Sequence, residues 1–147
     1  MLRFHHPRFM RLPTLLAALI LPLPATEILY DAFESDGFGE WAIEGQAFGK
    51  SPTASSPKGM NGKVQKYANS YYVSSAHDGD ASTGSLTSQS FKIQLPYIAF
   101  LVSGGNHKDT TAVQLLIDGK VVLTASGQNS LEMRQVVWDV QEFAGKE

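Results

Sequence analysis

The run VQLLIDGKVVLTASG, residues 113–127, limits the possible folds more than any other stretch of the chain. Asp118-Gly119 separates two apolar, β-rich segments, a strong hairpin signal because glycine readily takes positive φ. A two-residue turn predicts Ile117 opposite Lys120, Leu116 opposite Val121 and Leu115 opposite Val122. A type I turn with a bulge would shift that pairing. With simple pairing both faces carry apolar residues, so the hairpin is expected inside a layered structure.

The rest of the chain reads the same way. Helical periodicity is almost missing, and short β-rich runs are punctuated by Gly, Asp, Asn, Ser and Pro. These runs are EILYDAF (27–33), EWAIEGQAF (40–48), KYANSYYVSS (66–75), SLTSQSFKIQL (85–95), YIAFLVSG (97–104) and MRQVVWDVQEF (133–143). In the last run Val136, Trp138 and Val140 alternate with Val137 and Asp139, which gives a strand with one buried face. Residues 49–62, GKSPTASSPKGMNG, form a loop by composition, with two prolines that cannot donate to a ladder. Many short strands between turns predict an all-β fold, an antiparallel β-sandwich or jelly roll. The chain stops at GKE after a turn-like Gly145, so the last strand is expected to be missing and one edge uncovered. That predicts an isolated chain that is poorly soluble or partly unfolded.

The first 25 residues belong to a different class. Arg3, Arg8 and Arg11 precede an apolar stretch that ends at Ala25, the pattern of a secretory signal peptide. The domain proper is then 26–147, and its location secreted, periplasmic or on a bacterial cell surface. Removing three arginines leaves nine basic residues against fourteen acidic ones and moves the formal charge from −2 to −5. An acidic domain without a basic stripe excludes nucleic acid as the expected partner and gives no reason to expect a membrane surface. The chain has no cysteine, which excludes thiol catalysis, zinc–cysteine sites and disulfides.

Chemistry has few places to sit. Asp78 and Asp80 flank Gly79 and are the candidate metal ligands, with calcium as the ion. The full calcium-loop spacing is absent, and Asp-Gly pairs are ordinary turn residues, so a turn is the favoured reading. His77 and His107 show no metal-ligand spacing such as H-E-x-x-H. The acids Asp31, Glu34, Asp36, Glu40 and Glu44 read as solvated surface groups, although a carboxylate pair is what glycoside hydrolysis requires. Serines are many, but no G-x-S-x-G elbow occurs, and SGGNH (103–107) lacks the K-[ST] ending of a P-loop. Aromatic residues are the better resource, since flat amphipathic rings stack on apolar ligand faces. Trp41 and Trp138 read as core residues, whereas Tyr67, Tyr71 and Tyr72 form the surface candidate. With His77, Asn106 and His107 they make up the expected carbohydrate-binding set.

Five segments in order carry a family resemblance: FESDGFGEWAIEGQAFG (33–49), HDGDASTGSLTS (77–88), FLVSGGNH (100–107), LLIDGKVVLTASG (115–127) and WDVQEFAGK (138–146). Together they resemble a β-sandwich module that accompanies secreted levanase- and invertase-like enzymes of glycoside hydrolase family 32. The resemblance implies a non-catalytic accessory domain, a polysaccharide ligand such as a fructan, and the parent protein's catalytic domain as partner. The W-M-N-D-P-N-G motif of the family's catalytic propeller is absent, so no catalytic residue carries over and none is expected here. Such modules usually show Gly-Gly-Asp where this chain has Asp78-Gly79-Asp80, and they run on past the GK turn. The latter departure implies a truncated frame or a fragment of a family 32 hydrolase. A structural or protein-interaction module of a cell-surface protein is the remaining alternative.

Overall fold

A computed structural model describes residues 26–56 and 58–147; the expected signal peptide lies outside the described residues. The protein is all-β. Its strands are β1 (Ala42–Gly45), β2 (Gly84–Thr87), β3 (Tyr97–Gly104), β4 (Val113–Ile117), β5 (Lys120–Ala125) and β6 (Ser130–Asp139), followed by a 3-10 turn at Gln141–Phe143. They pair antiparallel as β1–β2, β3–β6 and β4–β5. No helix among the described residues is long and apolar enough to cross a membrane.

The β4–β5 hairpin closes through Asp118 and Gly119 at φ 51° and 73°, the left-handed pair that a type I′ turn requires. Ile117 faces Lys120 and Leu116 faces Val121 as the sequence predicts, but a bulge then places Leu115 opposite Leu123 instead of Val122. The extra residue brings Leu123 onto the same face as Leu115 and Ile117. These three join one hydrophobic cluster with Ile93, Val140, Phe91, Ile98, Trp138 and Phe143. Ile98 and Trp138 are direct cross-strand partners on β3 and β6. Both sheets therefore turn one face to the same core. The hairpin's other face is not covered: Leu116 and Val121 are 45% and 49% exposed.

Several expected strands are shorter than their apolar runs or absent, for local reasons. Residues 27–33 form no strand, because the Phe33 N–H bonds back to Asp31 Oδ1 and Phe33 sits at φ 55°. Strand β1 ends where Gly45 takes φ 73° and the N–H groups of Gln46 and Ala47 both donate to the Thr83 carbonyl. Ile43 points outward rather than into the core. Lys66 at φ 61° interrupts the 66–75 run, and only Tyr72 pairs there, with Thr53. Past Thr87, Ile93 exchanges hydrogen bonds with Gly145 and Lys146, so the final turn closes over the core. Beside β6, Gln65 forms a parallel bridge to Glu132, joined by the Lys66–Glu132 ion pair.

Candidate functional site

The predicted residues occupy three places. The loop at 76–82 is two successive turns: the Gly79 N–H donates to the Ala76 carbonyl, and the Ser82 N–H to that of Gly79. His77 is exposed; its N–H donates to the Ala47 carbonyl, and its ring lies against Gly49, where a Cβ would come within 2.6 Å of Nδ1. Asp78 pairs with Lys58 at 3.7 Å between exposed side chains, and Asp80 is exposed. No cluster of three or more metal-ligating side chains occurs among the described residues.

The second place is the 104–111 loop. The His107 carbonyl accepts from the N–H groups of Thr110 and Thr111, and its ring rests on Gly105. Asn106 is exposed but engaged by the protein. Its N–H donates to Asn129 Oδ1, and its Oδ1 accepts from the buried Ser126 hydroxyl at 3.2 Å. Arg134 Nη2 completes the network by donating to the Ser126 carbonyl. These bonds tie the β3 end to the start of β6.

The tyrosines form the third place, and they divide. Tyr72 is 6% exposed, with its hydroxyl donating to the Ser55 carbonyl at 2.5 Å. Burial, and then the neighbouring Tyr67, push its phenol above the usual tyrosine range. Its ring lies 5.1 Å from that of Tyr67. Tyr71 is exposed, and its backbone is fixed by Glu34, whose Oε1 accepts the N–H groups of Ser70 at 2.9 Å and Tyr71 at 3.0 Å.

The structure adds a cleft that the sequence reading does not single out. It encloses about 340 Å³ between the 30–41 segment and Gln89. Trp41 lines this cleft and is half-buried; Trp138, half-buried as well, packs against the central cluster as expected. The Trp41 indole N–H donates to Asp31 Oδ2 at 2.7 Å, and its ring meets Tyr30 edge-on at 6.0 Å and Phe33 at 5.2 Å. The Tyr30 hydroxyl donates to the Gln89 carbonyl, and Gln89 Nε2 donates to the Glu40 carbonyl. This leaves the Glu40 carboxylate and Gln89 Oε1 without hydrogen-bond partners among the described residues, on the rim of an aromatic wall. Such an arrangement suits a neutral ligand that has an apolar face for the rings and hydroxyls to donate to the acceptors. A signal for it stands in YDAFESDGFGEW (30–41), where four aromatics are interspersed with four acids.

A 126-residue stretch, 84% of this chain, is 32% identical to part of the "Putative glycosyl hydrolase ecdE" of Aspergillus rugulosus. The chain spans 18% of the length of that protein, so the similarity links it to one segment of a larger glycosyl hydrolase-named protein. No family model matches the chain, and no solved structure matches it.

Proposed function

We propose that residues 26–147 are a non-catalytic, carbohydrate-associated accessory module of a glycoside hydrolase, related to the levanase- and invertase-like family 32 and directed to a fructan. The observation that carries this reading is the cleft, where Trp41 and Tyr30 stand beside the acceptors of Glu40 and Gln89. The Asp31 carboxylate in it is engaged by the protein: one oxygen holds the Trp41 indole and the other the Phe33 amide. A residue so engaged positions its neighbours and is poorly placed to hand a proton to a glycosidic oxygen. The basic-then-apolar start of the chain supports secretion.

The similarity to 18% of a longer protein supports a module borne on a larger chain, whose catalytic domain is its natural partner. The test is titration of the 147-residue chain with levan and inulin, read by tryptophan fluorescence, alongside an assay for sugar released from levan, inulin and sucrose. Saturable binding without sugar release is expected. Release of sugar would overturn the non-catalytic reading, and absence of binding to either polymer would overturn the fructan.

A further inference from the structure

We infer that the Trp41 cleft and Tyr71 form one extended oligosaccharide site, with Glu34 as the positioning residue that joins them; this rests on the glycan-binding reading above. Glu34 follows Phe33 and precedes Ser35, in a segment whose Asp31 and Ser35 both line the cleft. Glu34 does not itself line the cleft; its carboxylate accepts two successive backbone N–H groups, those of Ser70 and Tyr71. A carboxylate taking two amide donors is a charge-assisted clamp, stronger than neutral bonds of the same length. The Tyr71 backbone is thus held one side chain away from the segment that lines the cleft, although 37 residues separate Tyr71 from Glu34 in sequence.

The clamp gives no evident return to the core. Tyr71 is 44% exposed, and the adjacent Tyr72 already anchors the loop through its bridge to Thr53 and its hydroxyl bond to Ser55. What the clamp fixes is where an exposed aromatic ring stands relative to the cleft. A ring held beside such a cleft offers a second stacking surface to a ligand longer than the cleft itself. The cleft then takes the terminal sugar units, through Trp41, Tyr30, Glu40 and Gln89, and Tyr71 supports the units that follow.

The test is isothermal titration of the full chain with linear fructo-oligosaccharides and gluco-oligosaccharides of two to five units, in the unaltered protein and in Y71A, E34Q and W41A. For the series that binds, affinity is expected to rise about tenfold between two and five units, the gain of one added aromatic contact. Y71A should flatten this rise, weakening the five-unit ligand more than the two-unit one. E34Q, which keeps the shape but loses the charge, should weaken the five-unit ligand more than the two-unit one. W41A should weaken every length. Affinity independent of length, or a rise that survives Y71A, would overturn the extended site while leaving a glycan-binding cleft in place. Absence of binding to both series would overturn the glycan-binding reading and this inference with it. Because the Tyr71 side chain is exposed, Y71A is expected to retain the parent's thermal melt, which separates lost contact from lost fold.

Discussion

Trp41 donates its indole N–H to one oxygen of the Asp31 carboxylate at 2.7 Å, and the other oxygen takes the Phe33 amide at the same distance. One side chain thus fixes both the orientation of the cleft's tryptophan and the left-handed turn that follows it. Asparagine keeps the shape of aspartate but carries only one acceptor, so its NH2 group must face one of the two N–H donors. D31N and D31A are both expected to weaken glycan binding and to shift tryptophan emission to the red. D31A should also lower stability by about 1.5–3 kcal/mol, the scale of a lost hydrogen bond to a charged group. Urea unfolding followed by fluorescence measures both effects; an unchanged midpoint and emission would remove Asp31 from this role.

Tyr72 supplies a pH dependence with a definite sign. Burial and Tyr67 raise its phenol above the ordinary tyrosine value of 10.0 in the folded protein. Between the unfolded and folded values, the unfolded chain has lost the proton that the folded chain retains. The stability contributed by the protonated phenol is therefore complete below pH ~10 and is lost as pH rises through the folded value. Thermal melts from pH 8 upward should fall faster for the parent than for Y72F, which cannot titrate but lacks the bond to Ser55. A parent and variant with parallel profiles would contradict the assignment.

How much of this was legible before folding differs from element to element. The hairpin was, since Asp118-Gly119 specifies its turn and its first two residue pairs. Its register beyond them was not. Val121, Val122 and Leu123 are all apolar, so no polar alternation marks which of them faces inward, and the bulge selects Leu123. The alternation around Trp138 did mark the inner face of β6, because Val137 and the charged Asp139 fall outside. The cleft lay hidden for another reason. It depends on a left-handed Phe33 and on contacts such as Tyr30 with Gln89, 59 residues apart, which no local pattern encodes. The three tyrosines looked equivalent as letters; long-range pairing with Thr53 buried one and left Tyr71 outside.

Two glycines separate steric from conformational cost. A Cβ on Gly127 would stand 2.2 Å from the Gly104 carbonyl oxygen and 2.4 Å from its carbon, both backbone atoms that cannot rotate away. A Cβ on Gly119 meets nothing within 4 Å, but φ there is 73°. G119A should cost about 1–2 kcal/mol, the strain of an L-residue in the left-handed region. G127A carries no such strain but must part the β3 end from the strand-connecting loop, and is expected to cost more and disturb the Asn106–Ser126 bond. Paired denaturant melts rank the two; a milder G127A would show that this junction yields easily.

The uncovered face of the β4–β5 hairpin yields the last expectation. Leu116 and Val121 are cross-strand partners that point away from the core, 45% and 49% exposed. Among the described residues neither β4 nor β5 has a second neighbouring strand, so apolar surface and open edges coincide. That combination drives edge pairing between chains. Replacing Leu116 and Val121 with threonine keeps the preference for extended backbone while removing much of the apolar surface. L116T/V121T should therefore reduce concentration-dependent association, read by light scattering, with little change in the thermal midpoint. Leu115, one residue away, gives the opposite expectation. It is 7% exposed within the central cluster, so L115A should cost about 2–5 kcal/mol and increase association by unfolding the hairpin. Equal effects of the two changes on the melt would mean that the outer face is covered in solution, since only a buried Leu116 could cost as much as Leu115.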